Sequence, residues 1–113
     1  MNVKFVLDCA DPVGLAKFWA EALHYEIRGS VGQYVVLTGD GPTIILQGVT
    51  EPKTVKNRMH LDINDVDIEA EAARLQALGA TRLSEAMGDE GITEKWIVMA
   101  DPEGNEFCVC GNP

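Results

Sequence analysis

The chain has no long apolar run, few basic residues and only three cysteines among its 113 residues. No apolar run approaches the ~18 residues that a membrane span needs, so no membrane association is expected. Nine lysines and arginines stand against 18 aspartates and glutamates, and the resulting charge of −9 repels phosphate backbones, which argues against nucleic-acid binding. The cysteines form no Cys-x-x-Cys pair, which excludes zinc-finger and thioredoxin motifs.

The sequence also lacks the pattern of a signal peptide and the spacing of a phosphate-binding loop. The first residues, Met1 to Lys4, lack the charged-then-apolar layout of a signal peptide. Together with the odd number of cysteines, this predicts a cytoplasmic protein with reduced thiols. The glycine-containing segments 29–32 and 39–41 lack the spacing of a phosphate-binding loop and are predicted to be turns.

The most informative feature that is present is a repeat, with one pattern occurring twice about 56 residues apart. A strand that begins at Lys4 leads through Asp11 into an amphipathic helix. A strand that contains His60 leads through Asp67 into a second amphipathic helix. Neither copy alone is long enough to bury a core, so the two copies are expected to pack together around a shared cleft.

The first copy, residues 1–49, has the pattern βαβββ. Alternating apolar residues from Lys4 to Cys9 predict a strand, and Asp11 followed by proline predicts the start of a helix that ends near His24. Three further strands are predicted at 25–29, 33–38 and 43–49, with turns at 29–32 and 39–42.

A polar connector, residues 50–57, precedes the second copy, residues 58–113. Alternation predicts a strand at 58–64, after which Asp67 caps a helix that ends at Gly79. Three more strands are predicted at 81–86, 95–100 and 106–110, with a tight turn at 101–105. The second copy therefore also has the pattern βαβββ, and the chain is predicted to be a single α+β domain.

This organisation resembles the vicinal oxygen chelate superfamily, which includes glyoxalase I, bleomycin-resistance proteins, fosfomycin-resistance enzymes and extradiol dioxygenases. The features that carry the resemblance are the repeated βαβββ, the helix start Asp11-Pro12, the strand with His60-Leu61-Asp62, and the turn Asp101-Pro102-Glu103-Gly104-Asn105. The closest similarity is to small bacterial glyoxalase-like proteins, and it covers essentially the whole chain. It implies the glyoxalase/bleomycin-resistance fold, in which two βαβββ modules form a cleft-bearing half barrel, and a homodimer. Because this fold hosts several unrelated reactions, the resemblance does not specify one.

The resemblance also implies where a divalent metal would bind, on the first and last strands of each module. The matching positions in this chain are Lys4, Gln47, His60 and Cys108. His60 is a good ligand and Gln47 a neutral oxygen donor, but the ammonium of Lys4 offers no lone pair. Cys108 suits a soft metal, or serves as a small apolar strand residue. This degenerate set predicts that the usual site for magnesium, manganese or iron is lost and that no cofactor is bound, with a divalent metal held through His60 as the alternative.

Polar residues of the expected cleft are the candidates for specificity or catalysis. His60 is the candidate catalytic residue, as a metal ligand, a general base or a hydrogen-bond donor, and a purely structural histidine is an equal alternative. Lys4 is expected to form an ion pair with a carboxylate such as Asp62, or else to neutralise a ligand. Asp8 and Asp62 occupy related strand positions, where a structural role is favoured over paired acid–base catalysis.

Four less polar residues complete the predicted ligand-binding set. Val6 and Ile45 would supply apolar contact area, and Trp96 either lines the cleft or packs in the core. A nucleophilic role for Cys108 would require His60 as its base, so a small buried side chain is the favoured interpretation.

Three functions remain open at this point. The leading hypothesis is a drug- or metabolite-binding protein, of the resistance type, that holds a neutral or cationic small organic molecule without the usual metal. The second is an enzyme, either a lyase or isomerase of glyoxalase type or a dioxygenase-like protein, with His60 as base or metal ligand. The third is an interaction module that controls a partner enzyme.

Overall fold

A computed structural model describes residues 3–91 and 93–111 of the chain. The chain divides into two units between Thr54 and Val55, inside the predicted connector 50–57. Each unit has its own sheet and its own helix, which gives the α+β class that the sequence predicts. Neither helix in these residues is long and apolar enough to cross a membrane.

The first unit follows the predicted βαβββ order. Its elements are strand β1 (Lys4–Cys9), helix α1 (Pro12–Leu23), and strands β2 (Glu26–Val31), β3 (Tyr34–Thr38) and β4 (Thr43–Gly48). The strands lie in the order β1-β4-β3-β2. The β1–β4 pair is parallel, and the other neighbours are antiparallel.

Helix α1 forms where its capping residues predict it. The side chain of Asp11 accepts a hydrogen bond of 3.1 Å from the backbone N–H of Gly14, and Pro12 occupies the first turn. The helix ends at His24, which donates its N–H to the carbonyl of Ala20 and has a left-handed φ of 57°. The buried face of α1 packs on β3 and β4, so their opposite sheet face carries the more exposed side chains.

The second unit repeats this plan with one extra short strand. Its elements are strand β5 (Asp62–Asn64), helix α2 (Ile68–Leu78), and strands β6 (Thr81–Arg82), β7 (Met87–Gly88), β8 (Lys95–Ala100) and β9 (Glu106–Gly111). The strand order is β5-β9-β8-β6, and β7 also pairs with β8. The strand predicted at 81–86 is therefore replaced by two short strands along one edge of β8.

Helix α2 is also fixed by its caps. Asp67 accepts a hydrogen bond of 3.0 Å from the backbone N–H of Ala70, and Gly79 ends the helix with a φ of 118°. The helix packs on β8 and β9, where alternate side chains such as Ile97 and Val109 are fully buried. Residues at the alternate positions, such as Val98 and Cys108, lie on the opposite face of these strands.

Two predicted boundaries are wrong. Strand β2 continues to Val31, so the turn expected at 29–32 lies instead at Gly32 and Gln33. The strand expected from residue 58 begins only at Asp62, because the side chain of Asn57, rather than a backbone carbonyl, accepts the N–H of Glu106 at 3.3 Å. His60 consequently lies just before β5 instead of within it.

Candidate functional site

A cavity of about 210 Å³ in the second unit brings together several residues predicted from the sequence. Its lining residues are His60, Asp62, Glu94, Trp96, Cys108 and Cys110. Glu94 and Cys110 were not among the predicted site residues. For Cys110 the sequence did offer a signal, because side chains two apart on a strand share a face and Cys110 follows Cys108 by two. Glu94 lies just before β8, where strand alternation does not place a side chain.

Strand pairing explains why these side chains meet. Asp62 lies opposite Cys108 across the parallel β5–β9 pair, and Trp96 lies opposite Cys110 across the antiparallel β8–β9 pair. Residues directly opposite each other project to the same face of a sheet. Because Val109, between the two cysteines, is buried on the α2 side, the cavity lies on the opposite face.

Three chemically different donor atoms converge at this cavity. The Nε2 atom of His60 lies 3.2 Å from Oδ1 of Asp62, and the two side chains are 40% and 52% exposed. One ligand atom from each of His60, Asp62 and Cys108 lies within 4.8 Å of the other two. His60 thus has a carboxylate partner that can orient its ring, and that partner lies two residues further along the chain, at the start of β5.

Burial and negative charge keep both cysteines of β9 protonated near neutral pH. Burial is the main cause that raises the pKa of Cys110 to about 12, followed by the charge of Asp62. The pKa of Cys108 is raised by the same two causes, with partial opposition from Lys56. Since the thiolate is the nucleophilic form, neither side chain is activated for nucleophilic attack in this environment.

The predicted site residues of the first unit lie on β1 and β4. All five lie on the sheet face opposite α1, where the first-strand residues are exposed and the β4 residues half-buried. The opposed pairs are Lys4 with Thr43, Val6 with Ile45, and Asp8 with Gln47. Lys4 and Gln47 are therefore placed at opposite ends of the strand pair.

The family model of the glyoxalase-like domain matches residues 4–110. This match spans nearly the whole chain, so the protein belongs to the glyoxalase-like domain family. A comparison with curated proteins finds no significant match.

Solved structures show the same fold at low sequence identity. A glyoxalase/bleomycin resistance protein/dioxygenase family enzyme from Burkholderia phytofirmans has a TM-score of 0.80 at 16% identity, with 97% of each chain covered. The fosfomycin resistance protein FosX from Listeria monocytogenes has a TM-score of 0.80 at 13% identity, over 100% of this chain and 93% of that one. A glyoxalase-related enzyme from Fulvimarina pelagi has a TM-score of 0.77 at 18% identity, over 100% of this chain and 88% of that one. The predicted glyoxalase/bleomycin-resistance fold is confirmed.

The strand register shows where the metal positions implied by the resemblance lie in each unit. In the second unit Cys108 lies opposite Asp62, two residues after His60. In the first unit Ile45 lies opposite Val6, two residues after Lys4, and Gln47 lies opposite Asp8. Of the four implied positions, Lys4 carries an ammonium without a lone pair and only Gln47 is an oxygen donor, so these residues do not fit an oxygen-rich site with four protein ligands.

Proposed function

We propose that the protein binds a small organic molecule in the cavity of its second unit, without the four-ligand metal site implied by the family resemblance. The observation that carries this proposal is the convergence of His60, Asp62 and Trp96 on one cavity of about 210 Å³. This volume lies below the ~300–1,000 Å³ typical of pockets for drug-sized ligands, so the bound molecule is small.

The charge of the cavity favours a neutral or cationic ligand. Asp62 and Glu94 contribute carboxylates, and the chain as a whole carries a charge of −9. The indole of Trp96 offers a flat apolar surface that also attracts a cation, and His60 adds a hydrogen-bonding ring nitrogen. These groups together match an organic amine or a small polar neutral molecule.

A second candidate function is acid–base catalysis by a lyase or isomerase of glyoxalase type. The distance of 3.2 Å between His60 and Asp62 favours it, because a carboxylate that orients an imidazole is a common arrangement for a general base. In this case His60 would take a proton from the bound molecule, and Asp62 would stabilise the resulting imidazolium. The Burkholderia neighbour is described as an enzyme.

Ligand binding by matched variants tests the proposal. Small amines and neutral molecules are screened by thermal shift, and each hit is titrated calorimetrically. We expect His60→Ala and Asp62→Asn each to weaken binding at least tenfold, because each removes a charge-assisted hydrogen bond of about 1.5–3 kcal/mol. The control is His24→Asn, which changes the only other histidine and keeps a residue tolerant of left-handed φ.

Binding that survives both cavity substitutions would contradict the proposed site. Conversion of a bound molecule, abolished by His60→Ala and retained by His24→Asn, would instead establish the enzymatic function. We also propose a cytoplasmic homodimer: no disulfide joins Cys9, Cys108 and Cys110, which suits a reducing cytosol, and the family resemblance supports the dimer.

A further inference from the structure

We infer that Asn57 is a positioning residue of the site: its side-chain amide is inserted between strand β9 and the segment that carries His60, and it thereby holds the imidazole against Asp62. Asn57 is half-buried and is not among the residues that line the cavity, so it acts through His60 and not on the bound molecule. This inference rests on the proposed function, because it names the residue that places one of the binding groups.

The hydrogen bonds around Asn57 show where the amide is inserted. In the parallel β5–β9 pair, the N–H of Cys108 bonds to the carbonyl of Leu61 at 2.9 Å. By the same pattern, the N–H of Glu106 would bond to the carbonyl of Met59 if β5 began two residues earlier. Instead, Oδ1 of Asn57 accepts the N–H of Glu106 at 3.3 Å, and Nδ2 of Asn57 donates to the carbonyl of Met59 at 3.4 Å. The amide therefore bridges the two backbone groups that a longer strand would join directly.

The bridge needs a side chain that accepts and donates at the same time. A carboxamide does both, a carboxylate of the same shape only accepts, and a methyl group does neither. Both distances lie slightly above the usual range of about 2.7–3.2 Å for an N–H···O bond. A direct bond from Glu106 to Met59 can therefore replace the bridge when the amide is removed.

The departure from strand geometry explains how close the ring of His60 comes to Asp62. Side chains two residues apart on a regular strand stand about 6.6 Å apart, because each residue advances the chain by about 3.3 Å. The observed distance from Nε2 of His60 to Oδ1 of Asp62 is 3.2 Å, well below that spacing. The chain bends at Arg58 and Met59, directly after Asn57, which turns the segment out of the ladder. The inserted amide thus converts two strand neighbours into a contacting pair.

Removal of the amide should restore the strand that the alternation from residue 58 predicts. In Asn57→Ala, the N–H of Glu106 is expected to bond directly to the carbonyl of Met59. Strand β5 then extends back toward His60, and the imidazole moves away from Asp62. Asn57→Asp is the matched variant, because its carboxylate still accepts the N–H of Glu106 and so keeps the segment out of the ladder.

Backbone ¹³C chemical shifts of residues 58–61, recorded on the full-length protein, measure this change. We expect strand values in Asn57→Ala, and non-strand values in both the unsubstituted protein and Asn57→Asp. The amide of Glu106 should remain protected from hydrogen exchange in all three proteins, because one acceptor replaces another. Non-strand shifts and a rapidly exchanging Glu106 amide in Asn57→Ala would show that Asn57 is only an anchor for a loop, which would overturn the inference. Strand shifts in Asn57→Asp would contradict it equally.

Modification of His60 by diethyl pyrocarbonate, followed by peptide mass spectrometry, tests whether Asn57 acts through the contact with Asp62. Asp62→Ala frees Nε2 of His60 and should speed its modification about fivefold, as for the loss of one ordinary hydrogen bond. In Asn57→Ala the ring has already left Asp62, so adding the same substitution should change the rate less than about twofold. His24, in the first unit, is the internal reference. Equal effects of Asp62→Ala in both backgrounds would refute the positioning role.

Asn64→Ala is the control, because it removes an exposed asparagine of β5. It should keep non-strand shifts at 58–61 and the full effect of Asp62→Ala. Urea denaturation confirms that each variant is folded, since a purely structural loss lowers stability without abolishing that effect. Neither experiment uses an organic ligand, so a failure of ligand binding would overturn the proposed function and leave these measurements unchanged.

Discussion

Asp62 is the residue on which most of the candidate site depends. It contacts His60 at 3.2 Å, lies opposite Cys108 in the sheet, and its charge helps to raise the pKa of Cys110. A single carboxylate thus acts on one base and two thiols. Substitution of Asp62 is therefore expected to change the ligand affinity and the pKa of both thiols together, while substitution of any one of its partners changes fewer of these properties.

The first prediction concerns the reactivity of the Cys108 thiol. The negative charge of Asp62 favours the protonated thiol, so Asp62→Asn should lower the pKa of Cys108 and increase its thiolate fraction. Since each pKa unit changes that fraction about tenfold at a pH below the pKa, alkylation of Cys108 at mildly alkaline pH should become faster. Iodoacetamide labelling followed by peptide mass spectrometry measures the rate at this cysteine separately from the other two.

Asp40→Asn is the control for this labelling experiment, because it removes an exposed carboxylate from the first unit. Its labelling rate at Cys108 should match that of the unsubstituted protein. Burial is the larger cause of the raised pKa and remains in both variants, so Cys108 should still react more slowly than a free thiol. An unchanged rate in Asp62→Asn would mean that Asp62 does not act on the sulfur.

The site residues show what could be predicted from sequence at this scale. His60, Asp62, Trp96 and Cys108 were recognisable from strand alternation and motif resemblance, and the structure places all four at one cavity. The equivalence of Gln47 to Cys108 stays a prediction from the resemblance. It depends on which residue of β4 lies opposite β1, and pairing between distant segments sets that register.

At the scale of elements, the helices were predicted more closely than the strands. Asp11 and Asp67 bond to backbone groups three residues ahead, and Gly79 closes its helix, so these boundaries are encoded locally. The start of β5 depends instead on contact with β9, about 45 residues further along the chain. Local sequence carries no information on such a partner, which is why the strand was predicted four residues too early.

The end of β9 gives a prediction for stability. A methyl group at Gly111 would overlap the carbonyl oxygen of Asp65 and approach the side chain of Ile68 to 3.1 Å. The two chain segments are joined there by a hydrogen bond of 2.9 Å from the N–H of Asp65 to the carbonyl of Cys110. Gly111→Ala should therefore reduce the free energy of unfolding by about 1–3 kcal/mol, as for other overpacked sites. Urea denaturation followed by circular dichroism measures the change.

Gly29→Ala provides the comparison, because a methyl group there meets nothing within 4 Å on the exposed strand β2. Its free energy of unfolding should remain within about 0.5 kcal/mol of the unsubstituted protein. Equal stability of the two variants would show that the approach of β9 to Asp65 is looser than described.

For the whole molecule, the repeat was the strongest signal in the sequence. It predicted two βαβββ copies and the fold, and structural neighbours at 13–18% identity share that fold. The fold does not determine the reaction, because related folds support different chemistries. Function therefore has to be argued from the particular side chains of the second unit, and the low identity of the neighbours supplies no substitute for them.

The net charge of the molecule yields a prediction about its assembly. Each chain carries −9, so a homodimer would carry −9 + −9 = −18, and the two subunits repel each other at low ionic strength. The Debye length falls from about 30 Å at about 0.01 M salt to about 8 Å at about 0.15 M, which screens this repulsion. The dimer fraction measured by sedimentation should therefore increase with salt, toward twice the chain mass of 12.3 kDa.

The direction of the salt effect distinguishes what holds the two subunits together. A dimer with an apolar interface becomes more stable as salt screens the charges, because the repulsion between acidic surfaces is then the main electrostatic contribution to association. An interface of opposite charges would instead weaken with salt, and the nine basic residues would have to be concentrated on it. Sedimentation at one protein concentration and several salt concentrations separates these cases, and a mass of one chain under all conditions would refute the dimer.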